Sequence, residues 1–289
     1  MRIVICNLQT SDIRVAKALD KIFNVFKPEA VIHFAGLKAV GESVANPLKY
    51  YEVNVGGSIS LLSAMSKAEC NNIVFSSSAT VYGEPQYLPY DEKHPTNPVN
   101  PYGCTKLIIE NIIRDWTKVG AKRKGTILRY FNPVGAHESG QIGEEPIGVP
   151  NNLMPYIAKV ADGRRAYLNI FGNDYDTADG TGARDYIHVV DLALAYISAL
   201  NHYKLNNFEV LNIGGGKGTT VFELLKIFEE VCGVSIKYKY LPRRDGDLAA
   251  FWADSSKSFE KMSWKPKRNI KNICEDTWRW HKNNPIGYA

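Results

Sequence analysis

The segment Asn100-Pro101-Tyr102-Gly103-Cys104-Thr105-Lys106 begins a helix. Pro101 suits the first turn, where its missing N–H group costs nothing, and the apolar residues of 107–113 recur at helical spacing. Tyr102 and Lys106 are four residues apart, so they lie on one helix face and an ammonium can approach a phenol. A nearby positive charge favours the phenolate and lowers a tyrosine pKa, as a general base acting near neutral pH requires.

A serine run, Ser76-Ser77-Ser78, precedes this helix and follows the apolar segment Ile73–Phe75, which is typical of a buried strand. Interconversion of an alcohol and a carbonyl at one carbon atom requires a hydroxyl donor and an acid–base group such as a phenol. The alternative is a surface tyrosine beside a solvated lysine, because the spacing alone is a weak signal. Of the 16 tyrosines, however, only Tyr102 has a lysine four residues on.

Continuous apolar segments alternate with stretches of helical period along the first half of the chain. The segments are Ala30–Phe34, Ile73–Phe75 and Thr126–Tyr130, with a further short β-branched run at Ile3–Cys6. Such runs are typical of strands buried on both faces of a parallel sheet, and helices between them predict right-handed crossovers. The expected fold class is therefore α/β, with a doubly wound, Rossmann-like parallel sheet. Ligands bind beyond the carboxyl ends of such strands, where Gly36, Ser78 and Asn132 fall.

Four local patterns predict structure rather than chemistry. Asp12 and Asp191 are each expected to cap the helix that follows. His33, inside an apolar run, is expected to be a satisfied core residue. The cluster Gly214–Gly218 resembles a phosphate loop, but its Gly-x-Gly-x-x-Gly spacing fails at Thr219 and no lysine–serine pair follows. We therefore expect a tight turn from a strand to a helix.

The composition excludes several classes of protein. A chain of 289 residues, 45% of them hydrophobic, can bury a sizeable core. Its net charge of +5 comes from interspersed basic and acidic residues, which gives little support to nucleic-acid binding. Five scattered cysteines without a Cys-x-x-Cys pair argue against disulfides and a zinc site, and favour a reducing, cytoplasmic location. No apolar run is long enough to span a bilayer, and the first eight residues are too short for a signal peptide's apolar region.

Seven segments resemble one family when they are taken together. They are Phe34–Ser43 (FAGLKAVGES), Phe75–Gly83 (FSSSATVYG), Leu128–His137 (LRYFNPVGAH), Pro150–Tyr156 (PNNLMPY), Ala183–His188 (ARDYIH), Pro242–Asp247 (PRRDGD) and Trp252–Asp254 (WAD). This set resembles the UDP-galactose 4-epimerase family of extended short-chain dehydrogenases. The resemblance runs from about Asp12 to the C-terminus, and the segments are long enough to be specific to that family.

The sequence departs from the family pattern at its start. The family begins with a strand, a Gly-x-x-Gly-x-x-Gly turn, a helix and a second strand, and on the order of 45 residues of this kind are expected to be absent here. The glycine turn brings backbone N–H groups to the pyrophosphate of NAD. The resemblance implies that residues 1–133 form an NAD-binding domain without its first β-α-β unit. Beyond Pro133 the loops become rich in Gly, Pro, Asn and Asp, so residues 134–289 are expected to form a smaller α+β region that binds UDP-sugar, with segments near 183–215 returning to the first domain.

The resemblance implies interconversion of UDP-galactose and UDP-glucose, a step of galactose metabolism, with NAD permanently bound. In the family a tyrosine takes the proton of the sugar 4-hydroxyl while hydride passes from C4 to the nicotinamide; the 4-keto sugar turns over, and hydride returns to its opposite face. Carried over, Tyr102 is the base, Lys106 lowers its pKa and holds the nicotinamide ribose, and Ser78 hydrogen-bonds the 4-oxygen.

Further binding residues follow from the same resemblance. For NAD the matching residues are Asp12, Ile13, Phe34, Ala35, Gly36, Lys38, Asn54, Tyr102, Lys106 and Phe131. For UDP-sugar they are Ser78, Asn132, Asn152, Leu153, Phe171, Arg184, Arg244, Asp247 and Phe251. Arg184 and Arg244 suit a diphosphate because guanidinium groups pair with phosphate oxygens; the alternative is a salt bridge with Asp185 or Asp245. Asn54 could instead bond to helix backbone.

An aromatic ring at Phe251 should narrow the sugar pocket. The resemblance places this residue beside the sugar, so we expect a preference for UDP-galactose and UDP-glucose over the bulkier N-acetyl sugars. Rapid epimerisation of UDP-N-acetylgalactosamine would contradict this hypothesis.

Two other functions compete with epimerisation. Sugar-nucleotide 4,6-dehydratases share the fold but usually carry Thr-Asp-Glu after the strand, where this chain has Ser78-Ala79-Thr80 and no carboxylate, so elimination of water is disfavoured. The second is a catalytically inactive, truncated homologue that binds UDP-sugar without NAD.

The helices around Tyr51–Met65 and Tyr102–Trp116 resemble those that pair subunits in the family, which implies a homodimer.

Overall fold

The computed structural model describes residues 8–146, 152–202, 207–244 and 246–288. The predicted strand Ile3–Cys6, the first residues of the segment Pro150–Tyr156 and the predicted alternative partner Asp245 lie outside the described residues. The described residues group into two compact units. Unit 1 comprises those within Met1–Gly83, Thr96–Leu128 and Leu200–Val210, and unit 2 those within Glu84–Pro95, Arg129–Ala199 and Leu211–Ala289.

Strands and helices alternate along much of the described chain. The strands are β1 (Val31–His33), β2 (Asn72–Ser76), β3 (Lys124–Tyr130), β4 (Asn132–Val134), β5 (Leu168–Phe171), β6 (Ala183–His188), β7 (Phe208–Ile213), β8 (Gly218–Thr220), β9 (Tyr238–Leu241) and β10 (Ala250–Phe251). The α-helices are α1 (Ala16–Phe26), α2 (Val40–Ala45), α3 (Pro47–Tyr50), α4 (Gly57–Lys67), α5 (Pro101–Lys118), α6 (Leu153–Ala161), α7 (Val189–His202), α8 (Val221–Cys232), α9 (Ser256–Met262) and α10 (Ile270–Asn283).

The main sheet has the strand order β1-β2-β3-β7. Strand β2 is parallel to both β1 and β3, with Phe75 opposite His33 on one side and Ile127 on the other. The predicted α/β fold with a parallel sheet is thus confirmed. Because neighbouring strands point the same way, the residues after β1 and β2 meet at one edge of the sheet.

Apolar side chains from α1, α4, α5 and the sheet form the core of unit 1. They include Leu19, Phe23, Leu61, Leu62, Met65, Ile73, Phe75, Ile109, Ile113 and Ile127. Fully burying an aliphatic side chain of this kind contributes about 1.5–3 kcal/mol, so the helical period after Lys106 fixes which face of α5 packs inward. Of the apolar residues after Lys106, Ile109 and Ile113 lie on the buried face.

Helix α5 begins where the sequence predicts. Asn100 is its N-cap and accepts a hydrogen bond from the Gly103 N–H at 2.9 Å, and Pro101 occupies the first turn. Gly103 lets the helix approach the 3₁₀ turn Ala79–Val81, since a Cβ at this position would lie 2.9 Å from the Thr80 carbonyl oxygen. This packing places the first turn of α5, which contains Tyr102, against the segment that follows β2.

A π-helical segment, Tyr51–Gly56, separates α3 from α4. The helix expected around Tyr51–Met65 is confirmed, but its wide turn is not apparent from the sequence. Asn54, which lies in this turn, is 2% exposed and points to the loop after β1. π-Helical turns are rare and often occur at functional sites.

Unit 2 contains two small sheets. Strand β6 is parallel to β4 and to β10 and antiparallel to β8, while β5 pairs with β9 in parallel. Their core combines α6, α8 and α10, with Met154, Ile157, Ala158, Leu168, Ile170, Leu224, Leu225, Phe228, Ile236, Ile273 and Cys274 buried.

Both predicted aspartate caps are wrong. The N-cap of α1 is Val15, and the Asp12 carboxylate instead binds Arg14 through its backbone N–H at 2.8 Å and its guanidinium at 2.7 Å. Asp191 lies inside the first turn of α7, and its carboxylate accepts the backbone N–H groups of Lys267 and Arg268 at 2.9 and 2.8 Å. In each case a cation or a distant loop competes successfully for the carboxylate.

The glycine cluster after β7 holds a carboxylate of the chain itself. Gly215 and Gly216 donate their N–H groups to Asp185 at 2.5 and 3.1 Å, and Ala253 donates a third at 3.0 Å. The expectation that this cluster is no phosphate loop is therefore confirmed. It does not lead directly into a helix, however, because β8 precedes α8. Burial raises the pKa of Asp185 to about 6, against three amide donors that lower it.

Candidate active site

The Lys106 ammonium lies beside the Tyr102 ring in unit 1. Its Nζ is 5.8 Å from the Tyr102 ring centroid and 4.9 Å from that of Phe75. It donates a hydrogen bond to the Ser76 carbonyl oxygen at 2.7 Å, and Tyr102 and Lys106 are both buried. One helical turn of α5 thus brings the ammonium to the Tyr102 ring, as the four-residue spacing predicts, and the contact with Phe75 of β2 adds to this.

Burial lowers the pKa of Lys106 to about 8, and the nearby Glu110 carboxylate opposes this shift only in part. His33, on the neighbouring strand, has a pKa lowered to about 3, first by burial and then by the Lys106 charge. It is therefore neutral at physiological pH. Its Nε2 lies 2.8 Å from the Ser58 hydroxyl, so the expectation that His33 is a satisfied core residue is confirmed.

The buried lysine should make stability depend on pH. Between pH 8 and 10.5 the unfolded chain holds the Lys106 proton and the folded chain does not, so the free energy of unfolding rises with pH. We expect a contribution of up to about 2 kcal/mol between pH 8 and 9.5, at 1.36 kcal/mol per pKa unit, which Lys106→Met should remove. Urea denaturation of both proteins across this range measures it. The exposed Lys118→Met is the matched control on the same helix; a Lys106→Met protein with the wild-type pH slope would contradict the prediction.

The serines after β2 have distinct partners. The Ser77 hydroxyl donates to the buried carboxylate of Glu110, and the Ser76 carbonyl oxygen accepts a hydrogen bond from Lys106, so both residues make structural contacts at the end of the strand. Ser78 is extended and accepts hydrogen bonds from Thr80, at 3.3 Å from its N–H and 3.0 Å from its hydroxyl. Ser78 therefore lies two residues beyond Ser76, the last residue of β2, whose carbonyl oxygen binds Lys106.

The turn after β1 is braced by Asn54. Its amide accepts the Leu37 N–H at 2.7 Å, donates to the Leu37 carbonyl at 3.0 Å and donates to the Thr105 hydroxyl at 3.1 Å. The alternative, a bond from this side chain to its own helix backbone, is wrong. Gly36 has φ +153°, and a Cβ there would lie 3.0 Å from the Asn54 Oδ1. The Asn54 amide therefore both fixes this turn and requires glycine in it.

The other NAD-matching residues of unit 1 lie at its surface. Phe34, Ala35 and Lys38 are exposed at the carboxyl end of β1. Ile13 packs near α4, where a Cβ on Gly57 would come within 2.5 Å of its side chain. The Arg14 guanidinium lowers the pKa of Asp12 to about 2, so this exposed carboxylate is charged and paired.

Five of the UDP-sugar-matching residues meet in unit 2, in what we call the arginine cluster: Phe171, Arg184, Arg244, Asp247 and Phe251. The Arg184 guanidinium carbon lies 5.2 Å from the Phe251 ring centroid, and that of Arg244 lies 4.7 Å from the Phe171 ring. Asp247 accepts Arg244 at 2.8 Å and approaches Arg184 at 3.8 Å. The predicted alternative pairing of Arg184 with Asp185 is wrong, because three amides occupy that carboxylate.

The remaining predicted residues of unit 2 have other neighbours. Phe131 is buried against Phe251, with ring centroids 5.6 Å apart, and Asn132 donates to the Asp185 carbonyl at 3.0 Å. Asn152 lies before α6 and donates to Glu144 at 3.3 Å, while Leu153 packs against the core of unit 2. Phe131 is thus connected to the arginine cluster, whereas Asn152 and Leu153 contact other parts of the unit.

Several side chains that contact these residues were not predicted from the sequence. Glu110 follows Lys106 by four residues, and the same helical argument that pairs Lys106 with Tyr102 could have identified it. Thr105 gives no such signal, because its contact with Asn54 is 51 residues away in sequence. Tyr175 lies in a polar loop that gives no motif signal, and it contacts Arg243 of the segment Pro242–Asp247.

The described residues hold no group of three or more His, Cys, Asp or Glu side chains that could ligate a metal ion. Within the same ranges, no helix has both the length and the apolar character needed to cross a membrane.

Comparison with known proteins places this geometry in a family. A family model described as GDP-mannose 4,6 dehydratase matches residues 5–277. The UDP-glucose 4-epimerase of Homo sapiens is 53% identical over 280 residues, which are 96% of this chain and 80% of the human protein. The chain belongs to the UDP-glucose 4-epimerase family. The resemblance drawn from the seven sequence segments is thereby confirmed.

Solved structures of UDP-glucose 4-epimerases share the fold. The enzyme of Bifidobacterium longum, in complex with NAD+ and UDP, is 46% identical with a TM-score of 0.93, covering 97% of this chain and 84% of that one. The enzyme of Stenotrophomonas maltophila, with bound NAD and formylated UDP-arabinopyranose, is 45% identical with a TM-score of 0.92, covering 95% of this chain and 82% of that one. The Rossmann-like sheet expected from the sequence is therefore that of a UDP-glucose 4-epimerase.

Proposed function

We propose that this chain is a UDP-glucose 4-epimerase, an isomerase that interconverts UDP-galactose and UDP-glucose with NAD as its cofactor. The observation that carries the proposal is the buried Lys106 ammonium beside Tyr102, at the end of a parallel strand followed by Ser78. Relatives with about half of their residues identical carry the same name, and solved relatives are complexes with NAD and UDP compounds.

The residues after β1 fit a dinucleotide. Phe34, Ala35, Gly36 and Lys38 are exposed in a turn that Asn54 holds in place, so a ligand can reach this turn from solvent. We propose that Phe34, Ala35, Gly36 and Lys38 line NAD, that Asn54 positions them, and that Asp12, Ile13 and Phe131 add contacts. Bound there, NAD supplies the hydride acceptor and donor that inversion at the sugar C4 needs.

Tyr102 is proposed as the acid–base residue. Its phenolate oxygen takes the proton from the sugar 4-hydroxyl and later returns it to the 4-oxygen, so the proton balance closes over one turnover. The neighbouring Lys106 charge stabilises the phenolate, and its hydrogen bond to Ser76 fixes its position. Ser78 donates its hydroxyl hydrogen to the same 4-oxygen and stabilises the 4-keto sugar.

Most of the residues proposed to bind UDP-sugar belong to unit 2. Arg184 and Arg244 suit the diphosphate, and Asp247 orients both guanidinium groups. Phe171 offers an aromatic face for the uracil, while Phe251 narrows the sugar pocket. Asn132, Asn152 and Leu153 complete the proposed UDP-sugar set.

The direct test is conversion of UDP-galactose by the purified chain. We expect UDP-glucose to form without added cofactor, and about one equivalent of NAD to be released when the protein is denatured. Both are measured by chromatography of the supernatant. A protein that binds UDP but releases no NAD and converts nothing would instead support the catalytically inactive alternative.

We further propose a cytoplasmic homodimer that acts in galactose metabolism. The four described cysteines are free thiols, consistent with a reducing compartment. On the helices expected to pair subunits, Ile59 of α4 is 49% exposed and Ile108 of α5 is half-buried, which leaves apolar surface for a second copy. Sedimentation equilibrium decides the assembly: a mass near 32 kDa at micromolar concentration would exclude the dimer.

A further inference from the structure

The phenol hydroxyl of Tyr175 is buried and has no hydrogen-bond partner among the described residues. The side chain as a whole is only 6% exposed. Nearly all buried hydroxyl groups in folded proteins are paired, because burying one unpaired destabilises the fold. A group of this kind inside a proposed binding region indicates a ligand atom that would complete it.

The Tyr175 ring is held firmly by its neighbours. Gly172 has φ +80°, and a Cβ there would lie 2.5 Å from the Tyr175 Cε2, so the ring fits only against glycine. The Arg243 guanidinium carbon lies 4.1 Å from the ring centroid, and Arg243 is itself fixed by Asp174 at 2.7 Å. The hydroxyl therefore has a defined position and cannot swing out to solvent without breaking these contacts.

The charges that act on this hydroxyl are those of the arginine cluster and its neighbour. Asp247, Arg184, Arg243 and Arg244 all influence it, which gives an excess of positive charge around a neutral donor. Burial raises the pKa of Tyr175 above its usual value, so the hydroxyl keeps its proton at physiological pH. A protonated phenol among guanidinium groups can donate a hydrogen bond, and the acceptor that fits such surroundings is an anionic oxygen.

Resting on the proposed function, we propose that Tyr175 is a further substrate-binding residue, whose hydroxyl donates a hydrogen bond to a phosphate oxygen of UDP. Arg184 and Arg244 supply charge, and the phenol adds a directional donor that the guanidinium groups do not. The hydroxyl is satisfied only when the diphosphate is bound, so its burial favours the bound state.

The test compares UDP with uridine, which lacks the phosphates. Tyr175→Phe keeps the ring and its contacts with Gly172 and Arg243, and removes only a hydroxyl that no described residue pairs with, so the variant should fold. We expect its affinity for UDP to fall about tenfold, as for loss of one hydrogen bond to a charged group, with affinity for uridine unchanged. Calorimetric titration measures UDP, and competition measures uridine. Tyr196→Phe, a buried tyrosine of α7, is the matched control and should bind UDP like the wild type.

Each outcome separates this inference from the proposed function. Wild-type protein that binds no UDP would overturn both. Wild-type binding with equal UDP affinity in Tyr175→Phe would overturn the inference alone. Equal losses for UDP and uridine would also overturn it, since they would show a general disturbance of the site. Thermal unfolding of the free variant, expected at or above the wild-type temperature, checks that the fold is intact.

Discussion

Replacing Tyr102 with phenylalanine should reduce the rate of epimerisation by about 10²–10⁴-fold while the protein stays folded and still binds UDP. Positioned acid–base groups contribute rate factors of this size. The variant keeps the aromatic ring beside Lys106 and removes only the oxygen that carries the proton. Turnover of UDP-galactose under saturating conditions, together with a UDP titration, measures the two effects separately.

Tyr87→Phe is the matched control for this change. Tyr87 is 45% exposed and donates its hydroxyl to Asp91 at 2.8 Å, so its loss should leave turnover unchanged. If Tyr102→Phe retained wild-type turnover, the phenol would not be the base, and the proposed chemistry would be wrong even if UDP bound normally.

Replacing Asp185 with alanine should lower the free energy of unfolding by about 3–5 kcal/mol. Its carboxylate accepts three backbone N–H groups, from Gly215, Gly216 and Ala253, and removing it leaves these donors without their partner in a buried site. Part of this loss is offset, because the substitution also removes a buried charge. Burial of that charge is unfavourable and raises the pKa of Asp185 to about 6. Urea denaturation at pH 7 provides the measurement.

Two comparisons sharpen the Asp185 experiment. Asp185→Asn keeps the shape and one acceptor oxygen, so it should lose less stability than Asp185→Ala. Asp115→Ala removes an exposed carboxylate and should change stability by less than about 0.5 kcal/mol. An Asp185→Ala protein as stable as the wild type would show that the amides find other partners.

The parallel sheet and the helix of Tyr102 and Lys106 could be predicted because their signals are local. Apolar runs identify buried strands, and a proline after Asn100 marks where α5 begins. The cap predicted at Asp191 failed because its competitors are 76 and 77 residues away along the chain, whereas Asp12 binds the neighbouring Arg14. Proximity in sequence favours a cap, whereas tertiary contacts decide which donor the carboxylate accepts.

Part of the candidate site could also be predicted from the sequence. The four-residue spacing predicts the Lys106–Tyr102 contact, and the family resemblance identifies the residues of the arginine cluster. It does not reveal that Asp247 rather than Asp185 lies near Arg184, because Asp247 is far from Arg184 in the sequence and only folding brings the two together. Tyr175 was missed since a tyrosine in a polar loop has no periodicity that would mark it as buried.

The wide turn at Tyr51–Gly56 has a consequence for insertions and deletions. A π-helical turn amounts to one additional residue accommodated within an α-helix. Deleting that residue would restore ordinary winding and displace the remaining residues of the turn itself, while α3 and α4 would keep the faces that they now present. The Asn54 amide could then no longer meet both the Leu37 main chain and Thr105. This helix therefore tolerates exchange of its exposed side chains far better than any change in its length.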